Sequence, residues 1–237
     1  MLDSPSFNNG QGLKIHIRTT RVKNFSYIEK VAVKIGDDVL EFDNDVDNFF
    51  INGALADANQ KHHKTHLGGF VVRRDPKALS IRIVDEGRQS RMSHAVAKID
   101  LHMRKNGFPA VIVDGGVTDA FQGSLGLMGD WETGKLLARD GVSEIALNGH
   151  DGTDFALDWQ VRDTEPMLFK EARFPQFPTV CTPPAKQLTN RLGMSNFQQE
   201  AEKACAHWED DMEDCIFDVI ATRDIFAAEE GHIVHVE

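Results

Sequence analysis

Val31-Ala32-Val33-Lys34-Ile35-Gly36-Asp37-Asp38-Val39-Leu40-Glu41-Phe42 decides the fold class. Val31, Val33 and Ile35 alternate with Ala32 and Lys34, the period of a strand with one buried face. Gly36-Asp37-Asp38 breaks the pattern with residues that tolerate the positive φ of a tight hairpin, and Val39 to Phe42 returns to strand. Upstream, Leu13-Lys14-Ile15-His16-Ile17-Arg18 alternates in the same way, which places His16 on the face away from the core and reads it as a surface position, like His102. Downstream, Phe49-Phe50-Ile51 ends at the turn pair Asn52-Gly53, and strand signals recur at 70–72, 79–84, 95–103 and 110–113. Short strands at regular spacing, broken by Gly, Asn and Asp, predict a mainly β domain, an antiparallel two-sheet sandwich over residues 12–161.

The pattern changes beyond Val161. Pro166, Pro175, Pro178, Pro183 and Pro184 predict a proline-containing extended connector over 162–194, because proline resists both helix and central strand. Ser195-Asn196-Phe197-Gln198 then has the form of a capping box. Phe197, Ala201, Ala204, Cys205 and Trp208 share one helical face. A second helix from about 210 to 228 presents Met212, Cys215, Ile216, Val219, Ile220 and Phe226, with Gly231 as its stop. Residues 195–229 thus predict a C-terminal helical hairpin. Cys205 and Cys215 lie on its facing apolar sides, where a disulfide would contribute about 2.5–3 kcal/mol on the loop-entropy model. Cys181 is left over. Three buried, reduced thiols in a cytosolic protein stand as the alternative.

At 41% hydrophobic residues, the 237-residue chain can bury a sizeable core. A net charge of -11 lacks the basic footprint that nucleic-acid binding needs. No stretch reaches the roughly 18 consecutive apolar residues of a membrane span. Met1-Leu2-Asp3-Ser4-Pro5-Ser6 shows no basic segment followed by an apolar run, so no secretory signal is visible.

For metal chemistry, the best candidate is Asp130-Trp131-Glu132-Thr133-Gly134. Calcium takes several carboxylate and carbonyl oxygens on a tightly turning loop, and Asp130 and Glu132 offer two such side chains, with Asp140 the next carboxylate. Lys135 opposes a cation there, so the expectation is weak calcium binding or none, against a plain acidic hairpin loop. Asn148-Gly149-His150-Asp151-Gly152-Thr153-Asp154 is a second glycine-acidic cluster, read as a surface loop. His62, His63 and His66 form the one histidine cluster; His62 and His66 are four residues apart, yet Lys61 and Lys64 flank them and a solvated loop is expected. There is no Gly-x-Ser-x-Gly elbow, phosphate-binding glycine loop or dinucleotide fingerprint. Asn24-Phe25-Ser26 is an N-glycosylation sequon, with Asn24 the acceptor.

The chain resembles a von Willebrand factor type D domain. Gly126-Leu127-Met128-Gly129-Asp130-Trp131-Glu132-Thr133-Gly134 is similar to the glycine-punctuated acidic loop that closes a hairpin in that family. Phe155, followed by Asp158-Trp159-Gln160-Val161, is similar to the phenylalanine and Trp-x-Val strand beyond it. Glu200 to Cys205 and Glu213 to Val219 look like the cysteine-bearing helical segment that often follows. The likeness spans residues 12 to 229. The family's opening strands, with an acidic calcium ligand and a Gly-x-Cys motif, have no counterpart before Leu13, which reads as an N-terminally truncated or shortened variant. In the family pattern, Cys181 would pair with that opening strand.

The resemblance implies a non-enzymatic extracellular module for adhesion or matrix assembly, with other proteins or matrix components as partners and no obligatory cofactor. A soluble intracellular β-rich ligand-binding or scaffold domain with reduced cysteines is the second reading. A metal-dependent hydrolase built on the histidine and aspartate clusters is the third.

Overall fold

The computed structural model describes residues 1–22, 25–43, 45–56, 65–83, 97–104, 107–115, 119–145, 152–171 and 195–207, with single positions between 212 and 228. The chain forms two compact units, Met1–Thr20 with Tyr27–Gln176 and Arg21–Ser26 with Phe177–Glu237.

In chain order the strands are β1 (Leu2–Ser4), β2 (Leu13–Val22), β3 (Phe25–Ile35), β4 (Asp38–Phe42), β5 (Phe49–Ile51), β6 (Ala54–Leu55), β7 (Thr65–Leu67), β8 (Phe70–Asp75), β9 (Ala78–Ile83), β10 (Ala97–Met103), β11 (Pro109–Asp114), β12 (Leu125–Gly126) and β13 (Gly129–Asp130). The described residues are mainly β, in two antiparallel sheets. Sheet 1 has the order β13-β12-β1-β2-β3-β4-β5-β6, and sheet 2 the order β11-β10-β9-β8-β7. Sheet 2 is a pure meander, since every neighbour in space is a neighbour in sequence.

The turns follow the chemistry of their residues. Ile35 faces Asp38, so Gly36-Asp37 is a two-residue loop in which Gly36, at φ +60°, alone takes the positive φ. That is the type II′ arrangement, matched to strand twist. Ile51 faces Ala54 across Asn52-Gly53, both at positive φ as a type I′ turn requires. The Asn52 side chain accepts from the Val39 N–H at 2.8 Å and donates to Asp38 at 2.8 Å. Asp38 also accepts from the Gly68 N–H at 2.9 Å, which ties the β3–β4 turn to the β7–β8 turn. The Asn52 and Gly68 hydrogen bonds hold the Asp38 carboxyl below its ordinary range.

The alternating apolar residues of both sheets meet in one core. Leu13, Ile15, Val31, Val33, Ile35, Leu40 and Phe42 of sheet 1 cluster with Leu67, Leu79, Ile81, Ile99 and Leu101 of sheet 2. Phe7 and Phe121 close one end, their rings stacked at 5.9 Å between centroids. Phe7 is delivered by a left-handed turn in which Asn8 and Asn9 both have positive φ, a conformation asparagine tolerates.

Two expectations are corrected. The β domain does not begin at residue 12: β1 lies between β12 and β2, with Leu2 opposite both Gly126 and Ile15, and Phe7 joins the core. A three-residue strand carries no readable period, so its partners alone define it. Asp158-Trp159-Gln160-Val161 is not a strand either. Gly152–Asp158 forms a helix, α1, and Trp159 follows directly. Phe155 and Trp159 are both buried, four residues apart, which is the helical repeat. The spacing taken from the type D pattern serves a helix face here.

In the second unit, Ser195–Cys205 forms a helix, α2, and Met212, Cys215, Ile216, Val219, Ile220 and Ala228 also have helical backbone. Ala201, Cys205, Cys215, Val219 and Ala228 are buried together, with Phe197, Ala204, Ile216 and Ile220 packed against them. The Cys205 and Cys215 sulfurs stand 2.05 Å apart with Cα atoms at 5.8 Å, which is disulfide geometry. Cys181, Trp208, Phe226, Gly231 and Asn24 lie outside the described residues, as do His62 and His63. Among the described residues, no helix is long and apolar enough to cross a membrane.

Candidate functional site

The acidic loop is built on a short hairpin. Gly126 faces Gly129, so Leu127-Met128 forms the tip and Asp130 leaves β13 directly into a turn. The Asp130 carboxylate accepts from the Thr133 N–H at 3.0 Å and the Thr133 hydroxyl at 2.5 Å, and these bonds lower its pKa, the hydroxyl foremost. Glu132 accepts from the Gly123 N–H at 3.2 Å. Asp140 closes a separate turn, accepting from the Val142 and Ser143 N–H groups at 2.8 Å and from the Ser143 hydroxyl at 2.5 Å. Lys135 pairs with Glu144 at 2.7 Å.

Asp130 and Asp140 are therefore engaged by their own turns, as short acidic side chains in loops commonly are, and Glu132 by the Gly123 backbone. Asp130, Glu132 and Asp140 do not form a joint site. No group of three or more His, Cys, Asp or Glu among the described residues is placed to hold a metal ion. The melting temperature in excess calcium and in excess chelator is expected to differ little. A large chelator-dependent loss that Asp130→Ala abolishes would overturn this.

The outer face of sheet 1 carries the most concentrated buried polarity. His16 and Arg18 of β2 and Glu41 of β4 are all buried. Sequence alternation puts His16 off the core face, as expected, but the surface reading is corrected: only 3% of it is exposed. The cover comes from beyond Leu136. Arg139 donates to Glu165 at 3.0 Å and lies over the Trp159 ring, and its backbone N–H donates to Asp158 at 2.7 Å. The Trp159 indole N–H donates to the Leu137 carbonyl at 2.9 Å.

The start of the expected connector belongs to this cover. Lys170 N–H donates to Glu41 at 2.7 Å, Lys170 Nζ donates to the Gly53 carbonyl at 3.3 Å, and Nζ sits 5.3 Å from the Phe50 ring centroid. Arg18 lies 4.4 Å from the Phe169 ring centroid and donates to the Glu171 carbonyl at 2.5 Å. Residues 162–171, the described part of that segment, are non-helical and docked on sheet 1, which the connector reading does not anticipate. The available signal was the apolar run Met167-Leu168-Phe169, out of place in a solvated linker.

His16 has charged groups around it, yet among the described residues its Nδ1 has no hydrogen-bond partner. Burial foremost, then the chain's amino group and Lys14, push its pKa down to about 4, against smaller opposing effects of Glu165 and Asp3. It is a neutral imidazole under a lid of packed chain.

Sheet 2 offers a second polar group on its outer face. Asp100 lies opposite Ser80, beside Lys98 at 2.9 Å and with His102 Nε2 at 3.8 Å. Burial alone would raise its pKa; hydrogen bonds from His102, Ser80 and Lys98 prevail and bring it to about 2. Serine, histidine and aspartate are thus together, yet serine and histidine both turn to the same carboxylate. A nucleophile needs the base on its own proton, with the acid behind the base. This arrangement stabilises a carboxylate and activates no hydroxyl.

No family model and no curated protein matches this chain.

Proposed function

We propose that this chain is a non-enzymatic extracellular interaction module of the von Willebrand type D kind, a two-sheet sandwich followed by a cysteine-bearing helical hairpin. Other proteins or matrix components are its partners, and it requires no cofactor. The observation that carries the reading is the Cys205–Cys215 pair at disulfide geometry inside a buried cluster. Such bridges persist in oxidising compartments and are rare where thiols are kept reduced. The two antiparallel sheets, their common core and the inert wiring of Ser80, Asp100 and His102 agree with a binding role.

Thiol counting on protein taken from its native source, denatured without reductant, tests this. Cys181 is expected to be alkylated at once, and Cys205 and Cys215 only after reduction. Three thiols alkylated without reductant would favour the intracellular β-rich scaffold or ligand-binding domain instead.

A further inference from the structure

β11 is composed as an inner strand and placed at an edge. Ala110-Val111-Ile112-Val113 is apolar on both faces, a pattern that belongs to strands covered on all sides. On the inner face Val111 and Val113 pack against the core; on the outer face Ile112 stands opposite Asp100, among polar neighbours. β11 pairs with β10 on one side and ends the sheet on the other. Among the described residues, the backbone hydrogen bonds of 110–113 go to β10 alone.

The strands at the other ends of the two sheets are protected by brevity, one of the usual defences of an exposed strand. β13 and β6 are two residues long and β7 is three, whereas β11 is six. β11 also lacks other common defences: it has no lysine, and its proline stands at the first position, where it leaves the remaining edge free to pair.

We propose that β11 pairs edge to edge with β11 of a second copy of this chain, antiparallel about a two-fold axis through Ile112. In that register Ile112 meets Ile112 of the second copy on the outer face, and Val111 meets Val113 on the inner face. Ala110 meets Asp114, so the two Asp114 carboxylates lie at opposite ends of the pairing, about 14 Å apart and beyond the screening length at physiological salt. No like charges face each other, and the sheet continues from one copy into the next. The interface is isologous and closes on itself, giving a dimer rather than a fibre. This self-pairing goes beyond the module reading and depends on neither its compartment nor its cysteines.

Analytical ultracentrifugation of the full chain over a dilution series tests it. Wild type is expected to run as a dimer that dissociates on dilution. Ile112→Lys, which sets two ammonium groups against each other at the axis, is expected to be monomeric. Mixing it with Ile112→Glu should restore a dimer that neither variant forms alone. Should the variants misfold, hydrogen exchange on wild type decides: the outward amides of 110–113 should gain protection as concentration rises. A wild type that stays monomeric, a dimer indifferent to both substitutions, or concentration-independent exchange at 110–113 would overturn the proposal.

Discussion

Phe121→Ala is expected to cost about 3–5 kcal/mol and lower the melting temperature by on the order of ten degrees. Phe121 is fully buried, stacked on Phe7 and tilted against Trp131 at 5.3 Å between centroids. Removing the ring takes away the transfer free energy of a large aromatic and leaves a cavity. Its ring neighbours come from separate stretches, Phe7 before the Asn8-Asn9 turn and Trp131 just after β13, and Phe7 is itself held edge-on by Phe70, so collapse onto the gap is hindered. Calorimetry measures the loss, and Trp131 emission should shift to the red as its packing partner disappears. A loss under about 1 kcal/mol would mean that Phe7 and Trp131 close the gap between themselves.

Acidification is the second large effect. In the unfolded chain His16 takes up a proton near pH 6.5; in the folded chain it resists until about pH 4. Between those values the unfolded state binds more protons, so stability falls as pH is lowered through that window and levels off for this residue below it. The gap is worth about 3 kcal/mol. The depressed carboxylate of Asp100 acts in a different range, its stabilisation being lost only as pH falls from 3.8 towards about 2. Denaturant unfolding at intervals from pH 7 to pH 4, on wild type and His16→Asn, separates them. The variant should show a flatter slope above pH 4. Equal slopes would show that His16 charges as easily inside the fold as outside it.

The residues that announced themselves in the sequence were those whose neighbours are close in sequence. Leu13, Ile15 and Ile17 declare a strand by alternation alone, and Gly36-Asp37 and Asn52-Gly53 declare their turns because backbone sterics restrict which residues suit them. What was hidden depends on distant chain. His16 looks solvated by alternation alone, and its burial depends on chain far from it in sequence, Glu165 among its charged neighbours. Trp159 at four residues from Phe155 fits a helix as well as a strand pattern, and the Trp159 N–H bond to the Phe155 carbonyl settles which. The acidic loop was recognised as a loop, but whether its carboxylates face a cation or their own backbone is a matter of side-chain geometry that spacing does not encode. Asp100 drew no notice, because its partner Ser80 lies across the sheet.

The seating of β1 between β12 and β2 has a consequence for the order of assembly. Ser6 donates to the carbonyl of Gln122 across a separation of 116 residues, and Leu2 waits for Gly126. On the ribosome, the hairpins of β2 to β6 and the meander of β7 to β11 find their partners among residues made shortly before. β1 cannot be enclosed until the polypeptide has grown past β12. The loop-closure entropy of the β1–β12 contact is met late, when the strands between them are already made. Until then the flank of β1 that receives β12 is an unpaired strand edge on the nascent chain, the kind of surface a chaperone protects.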